Sequence, residues 1–117
     1  VANPGEAGPT IRTERVEGGV VVRPSGDVDL NVSPSLRQAL KQVLQGRPER
    51  LVVDLSGVPY MDSSGVATLV EAMQIARKSG TRMALCSLQE RVRSIFEIAR
   101  LETVFAIYAT PEEALRA

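Results

Sequence analysis

Leu51-Val52-Val53-Asp54-Leu55 is a short apolar run rich in β-branched residues, and Asp62-Ser63-Ser64-Gly65 follows it after a brief turn. The run has the character of a strand covered on both faces. From Val66 to Ser79 the apolar residues recur at helical spacing, up to Gly80. The stretch therefore reads as buried strand, tight junction and helix, which sets the class as α/β. A helix start presents backbone N–H groups without partners and the positive end of the helix dipole. Two hydroxyls at such a place are well sited to carry a phosphate. The same residue types are also good N-caps, each able to satisfy one of those N–H groups. Residue types alone leave both readings open, and they are compatible if Asp62 or Ser64 holds the turn while Ser63 points outward.

Outward from this core the elements alternate. Residues 1–9 (Val-Ala-Asn-Pro-Gly-Glu-Ala-Gly-Pro) form a Pro/Gly-rich tail with little to bury, expected to be flexible. Ile11 to Val16 and Val20 to Val22 read as strands, with Gly18-Gly19 as the positive-φ residues of a tight hairpin. Ser33-Pro34 is a helix start with an N-cap hydroxyl and an early proline. Leu36, Leu40, Val43 and Leu44 make its apolar stripe, and Gly46-Arg47-Pro48 ends it. Arg82 to Cys86 is a further strand, and Ser87 with Glu90 resembles a capping box before a helix that turns Val92, Ile95, Phe96 and Ala99 inward. Val104 to Tyr108 reads as the last strand, and Thr110-Pro111 with Glu113 opens a short terminal helix. The order ββαβαβαβα implies one domain over residues 10–117, a mixed sheet of about five strands with about four helices packed on it.

Composition narrows the function classes. Fourteen basic and fourteen acidic residues cancel, and two Phe, two Tyr and no Trp leave few platforms for base stacking. Neither a nucleic-acid partner nor a charged membrane surface is expected. No apolar run approaches the ~20 residues that span a bilayer, and no signal-peptide pattern opens the chain, so a cytoplasmic protein without direct membrane insertion is expected. A single cysteine, Cys86, excludes an internal disulfide and suits a reducing compartment. The chain contains no histidine. That removes the Ser-His-Asp triad and the commonest general base and transition-metal ligand together. Met61 stands where a nucleophile elbow needs its first glycine, and no lysine lies near Ser63 in sequence for a Ser-Lys pair. Asp27 and Asp29 stand two apart but read as turn residues rather than a metal site. The expectation is a binding module with no enzymatic activity, cofactor or metal.

On the motif helix, Val66, Leu69, Val70, Ala72, Met73 and Ala76 fall on one arc and should face the sheet. Ala67, Glu71, Gln74 and Lys78 fall opposite, with Thr68 and Ile75 on the flank of that polar side. Ile75 is thus a candidate partner contact, unless a neighbouring helix covers it.

The segment Leu51 to Val66 closely resembles the anti-sigma-factor antagonist branch of the STAS family. Ser25-Gly26-Asp27-Val28-Asp29 resembles that family's Gly-acidic-apolar-Asp segment, and the element order and the Val92-Arg93-Ser94-Ile95-Phe96 helix match as well. The resemblance implies that Ser63 is phosphorylated by an anti-sigma factor that is itself a serine kinase, and that a phosphatase resets it. It implies that the unphosphorylated form captures the anti-sigma factor and frees the sigma factor. Asp29 corresponds to an acidic residue used near the phosphorylation site, while Asp62, Ser64 and Gly65 support the motif and partner recognition. Arg100-Leu101-Glu102 departs from the Ser/Thr-Gly-Leu of many members. An alternative within the same family is a constitutive docking subunit of a phospholipid-transport ATP-binding-cassette complex or of a signalling scaffold. A serine hydrolase is a third class, distinguishable by a fluorophosphonate probe.

Overall fold

The computed structural model describes residues 10–117, so the expected flexible tail lies outside the described residues. Five strands form one sheet in chain order: β1 (Thr10–Val16), β2 (Gly19–Ser25), β3 (Arg50–Asp54), β4 (Arg82–Cys86) and β5 (Ala106–Tyr108). β1 pairs antiparallel with β2, and every later pair is parallel. The helices are α1 (Ser33–Gln45), α2 (Ser63–Ser79), α3 (Glu90–Ile98) and α4 (Pro111–Arg116). A mixed five-stranded sheet with four helices in the order ββαβαβαβα is what the sequence periodicity implies.

The register explains the layers. Val22, Val53 and Leu85 are paired neighbours, and their side chains join Leu36, Leu40, Leu69, Met73, Val92 and Phe96 in the main core beneath α1, α2 and α3. Val21, Val52 and Ala84 alternate to the other face, where α4 covers them with Ala114. Because the strand order never reverses, right-handed crossovers carry α1, α2 and α3 to the same face. The sheet therefore has no point of reversal, the usual site of a ligand crevice in doubly wound sheets. What remains at the carboxyl ends of β2 and β3 is a pair of loops.

Several local expectations change. Gly18 has a left-handed φ of 94°, but Gly19 is already the first residue of β2, and its need is space. A Cβ there would stand 2.5 Å from the Arg50 carbonyl oxygen. Ser33 is not the N-cap of α1: it lies inside the helix behind Val32, and its hydroxyl is used elsewhere. Ser87 and Glu90 form no capping box, because Ser87 adopts φ 61° and its hydroxyl donates to the Ala109 carbonyl. Gln89 is the cap residue instead, and Ala99 is exposed past the helix end. Arg100 then takes a left-handed φ of 58°. A 3₁₀ turn over Leu101–Thr103 and the burial of Phe105 shorten the last strand to three residues. At Thr110 the expected cap forms, with its hydroxyl accepting from the Glu113 amide at 3.1 Å.

Candidate functional site

The loops following β2 and β3 lie side by side, tied by three backbone hydrogen bonds. Gly26 N–H donates to the Gly57 carbonyl at 2.8 Å, Val28 N–H to Tyr60 at 3.0 Å, and Asp62 N–H to Val28 at 3.1 Å. Val28 and Met61 form an isolated parallel bridge, and both side chains are fully buried. This extension of the β2–β3 pairing carries the Asp29 loop up to the head of α2. From the other side, Arg91 of α3 stacks over the Tyr60 ring at 5.6 Å, and Gln89 donates to the Ser56 carbonyl at 2.7 Å.

At the head of α2, Asp62 is the N-cap, in extended conformation. Its Oδ1 accepts from the Ser64 amide at 2.9 Å, the Gly65 amide at 3.3 Å and the Ser64 hydroxyl at 2.6 Å. The Ser64 hydroxyl, above all, with smaller help from the Gly65, Ser64 and Leu30 amides, outweighs partial desolvation and holds the Asp62 carboxyl below its usual range. Gly65 is buried against the same loop, and a Cβ on it would meet Met61 Cγ at 2.6 Å and Val28 Cγ1 at 2.9 Å. The glycine thus lets the helix head close onto the two loops.

Ser63 is the first residue of α2 and is exposed. Among the described residues no hydrogen bond holds its hydroxyl, whereas Ser64 is bound to Asp62 and lies 2.7 Å from Ser33 Oγ. Two serines of the same type are therefore sorted by contact, one tied down and one free. The sequence suggested that open N–H groups would receive a phosphate, but the Asp62 carboxylate already fills two of them. A phosphate on Ser63 would stand outside the cap rather than within it.

Asp29 turns its carboxylate inward, accepting from the Asn31 amide at 3.0 Å and the Val32 amide at 3.2 Å. It closes the turn that starts α1, so this carboxylate serves the loop's own shape. Leu30, beside it, is 74% exposed, and nothing in the sequence singled it out; a loop leucine has no periodicity to betray its direction. Ile75 is half-buried and packs against the core, which is the alternative of a covering helix that the sequence left open. Thr68 is buried too, its hydroxyl donating to the Ser64 carbonyl at 2.9 Å. Both placements have one cause. α1 packs along α2, where Arg37 donates to Glu71 at 2.9 Å, and covers the flank that an isolated helix would show to water.

The family model of the STAS domain matches residues 10–114. The chain belongs to the STAS family. It is 28% identical over 106 residues to the anti-sigma F factor antagonist of Paenibacillus polymyxa, covering 90% of this chain and 91% of that relative. To the anti-sigma-B factor antagonist of Bacillus subtilis (strain 168) it is 30% identical over 96 residues, covering 82% and 87%. The crystal structure of an anti-sigma factor antagonist from Mycobacterium paratuberculosis matches with a TM-score of 0.86 at 28% identity. That match covers 99% of this chain and 97% of the other. The STAS relatives are thus of the branch that the motif resembles. No helix of the described residues is long and apolar enough to cross a membrane.

Proposed function

We propose that this STAS domain is an anti-sigma-factor antagonist whose binding is switched off by phosphorylation of Ser63. The observation that carries the reading is the contrast at the head of α2: an exposed Ser63 hydroxyl with no hydrogen bond among the described residues, beside a Ser64 hydroxyl tied to Asp62. A protein kinase needs an acceptor hydroxyl it can reach without unwinding the helix, and Ser63 is such a group. The names of the relatives support the partner class, an anti-sigma factor. The kinase would be that anti-sigma factor itself, and a phosphatase would restore the binding form.

The charge arithmetic favours a switch at the interface. A phosphate adds roughly −1.5 to −2 charges. Inside the protein the helix dipole favours it by only about 0.3–1 kcal/mol, and the ionised Asp62 opposes it. Across an interface, an acidic group about 4 Å away would be repelled by up to ~4 kcal/mol per unit charge at an effective dielectric of 20. That upper figure corresponds to about a thousandfold in affinity. Unmodified, the same surface offers a partner the exposed Leu30, whose amide lies by the Asp62 carboxylate at the head of α2.

Incubation with the anti-sigma kinase and ATP tests the assignment. Intact-mass measurement should show one added phosphate on the unmodified protein and none on Ser63→Ala. Full-stoichiometry modification of Ser63→Ala would remove Ser63 from the role.

A further inference from the structure

Ser33 is 5% exposed, yet its hydroxyl does not cap its own helix. Its Oγ lies 2.9 Å from the Asp29 carbonyl oxygen and 2.7 Å from Ser64 Oγ, and Ser64 Oγ lies 2.6 Å from Asp62 Oδ1. Four oxygens thus run in series from the β2–α1 loop to the N-cap of α2. A carbonyl and an ionised carboxylate can only accept, so the two serine hydroxyls supply the protons for three contacts. The Ser33 hydroxyl donates to the Asp29 carbonyl and the Ser64 hydroxyl to the Asp62 carboxylate, and the 2.7 Å contact between the two hydroxyls shares whichever proton turns toward it. The two hydroxyls thus couple the Asp29 carbonyl to the charged N-cap carboxylate, and each contact strengthens its neighbours.

We propose that Ser33 is a positioning residue for the Ser63 acceptor. Through Ser64 it holds the Asp29–Leu30 loop in register with the head of α2, so that a kinase meets loop and acceptor as one surface. The role rests on Ser63 being the acceptor, and it concerns recognition rather than the transfer itself. Ser33 touches neither Ser63 nor a phosphate. Its loss should therefore appear in KM and leave kcat nearly alone.

The test is steady-state phosphorylation by the anti-sigma kinase that co-purifies with the unmodified protein, using wild type, Ser33→Ala, Ser33→Thr, Ser64→Ala and the Ser33→Ala/Ser64→Ala double variant. Thermal unfolding is followed alongside. Ser33→Ala should raise KM about tenfold, the scale of one buried hydrogen bond, with kcat within about twofold. Ser33→Thr, which keeps the hydroxyl, should return KM toward wild type. The double variant should be no worse than Ser64→Ala, because either substitution cuts the same link. A wild-type KM for Ser33→Ala overturns the proposal, as do effects of the two single variants that simply multiply. Should Ser33→Ala fail to fold, Ser64→Ala decides, since a wild-type KM there would equally overturn it. An absence of phosphate on wild-type Ser63 would be a different failure, overturning the acceptor reading and with it the role of Ser33.

Discussion

Asp62 and the two serines after it differ in what their side chains touch, and helix geometry sets the difference. An N-cap carboxylate reaches the amides two and three residues ahead, so Asp62 binds the Ser64 and Gly65 amides and passes over Ser63. The Ser64 hydroxyl adds a third bond, leaving Ser63 to solvent. This arrangement has a consequence for pH. The Asp62 carboxyl is held below its ordinary value of 3.8, with the Ser64 hydroxyl as the main cause. A carboxyl lowered in the folded state contributes stability that is complete above the unfolded value and lost as pH falls through the folded one. Asp62→Asn should therefore leave a shallower loss of stability below about pH 4 than wild type shows, while changing the neutral-pH slope little. Parallel acid limbs for the two proteins, followed by urea unfolding at each pH, would contradict that cause. The position of this motif is legible in sequence as a strand–turn–helix junction. The division of labour between Ser63 and Ser64 came from a resemblance, because residue types alone permit either to cap. The part played by Ser33 was not legible, since its partner Ser64 lies 31 residues away in the chain.

At the scale of elements, the two tied loops depend on β2 and β3 lying close enough for their carboxyl ends to continue pairing. Gly19 makes that approach at the opposite end of the same strands. A Cβ there would meet the Arg50 carbonyl oxygen at 2.5 Å and the Arg50 Cβ at 2.9 Å, and the backbone atom has no rotamer by which to yield. Gly19→Ala should cost about 1–3 kcal/mol in urea unfolding, as overpacked sites do, despite the small gain of replacing a strand glycine. Unchanged stability would mean that the strands separate there at no cost. Periodicity revealed the strands and helices because their buried faces repeat at two and 3.6 residues. It put Thr68 on a polar flank and left open whether Ile75 is covered, because a single helix's periodicity does not report the second helix lying against its flank. It also suggested a capping box at Ser87, where a left-handed backbone turns that hydroxyl to the Ala109 carbonyl instead. The shortened β5 has a similar origin: burial of Phe105 draws the chain into the core before pairing begins at Ala106.

Across the whole molecule, the surface that carries Ser63 is built on the best-buried part of the fold. β3 lies between β2 and β4, with Leu51, Val52 and Val53 fully buried, and Met61 and Val28 beneath the motif are buried as completely. A charge added at the exposed edge of such a base changes what a partner meets without removing what holds the chain together. With a formal net charge of zero before modification, the added phosphate would stand out against a balanced surface. Phosphorylation is therefore expected to act through the interface and not through unfolding. The direct measurement is the affinity of the anti-sigma factor for the unmodified and the Ser63-phosphorylated protein, with thermal unfolding of both forms recorded alongside. Phosphorylation should weaken binding by about a hundredfold to a thousandfold, with a gap that narrows at higher salt, and should change the melting temperature by no more than a few degrees. Equal affinity for the two forms, or weakened binding that appears only because the phosphorylated protein has unfolded, would contradict it.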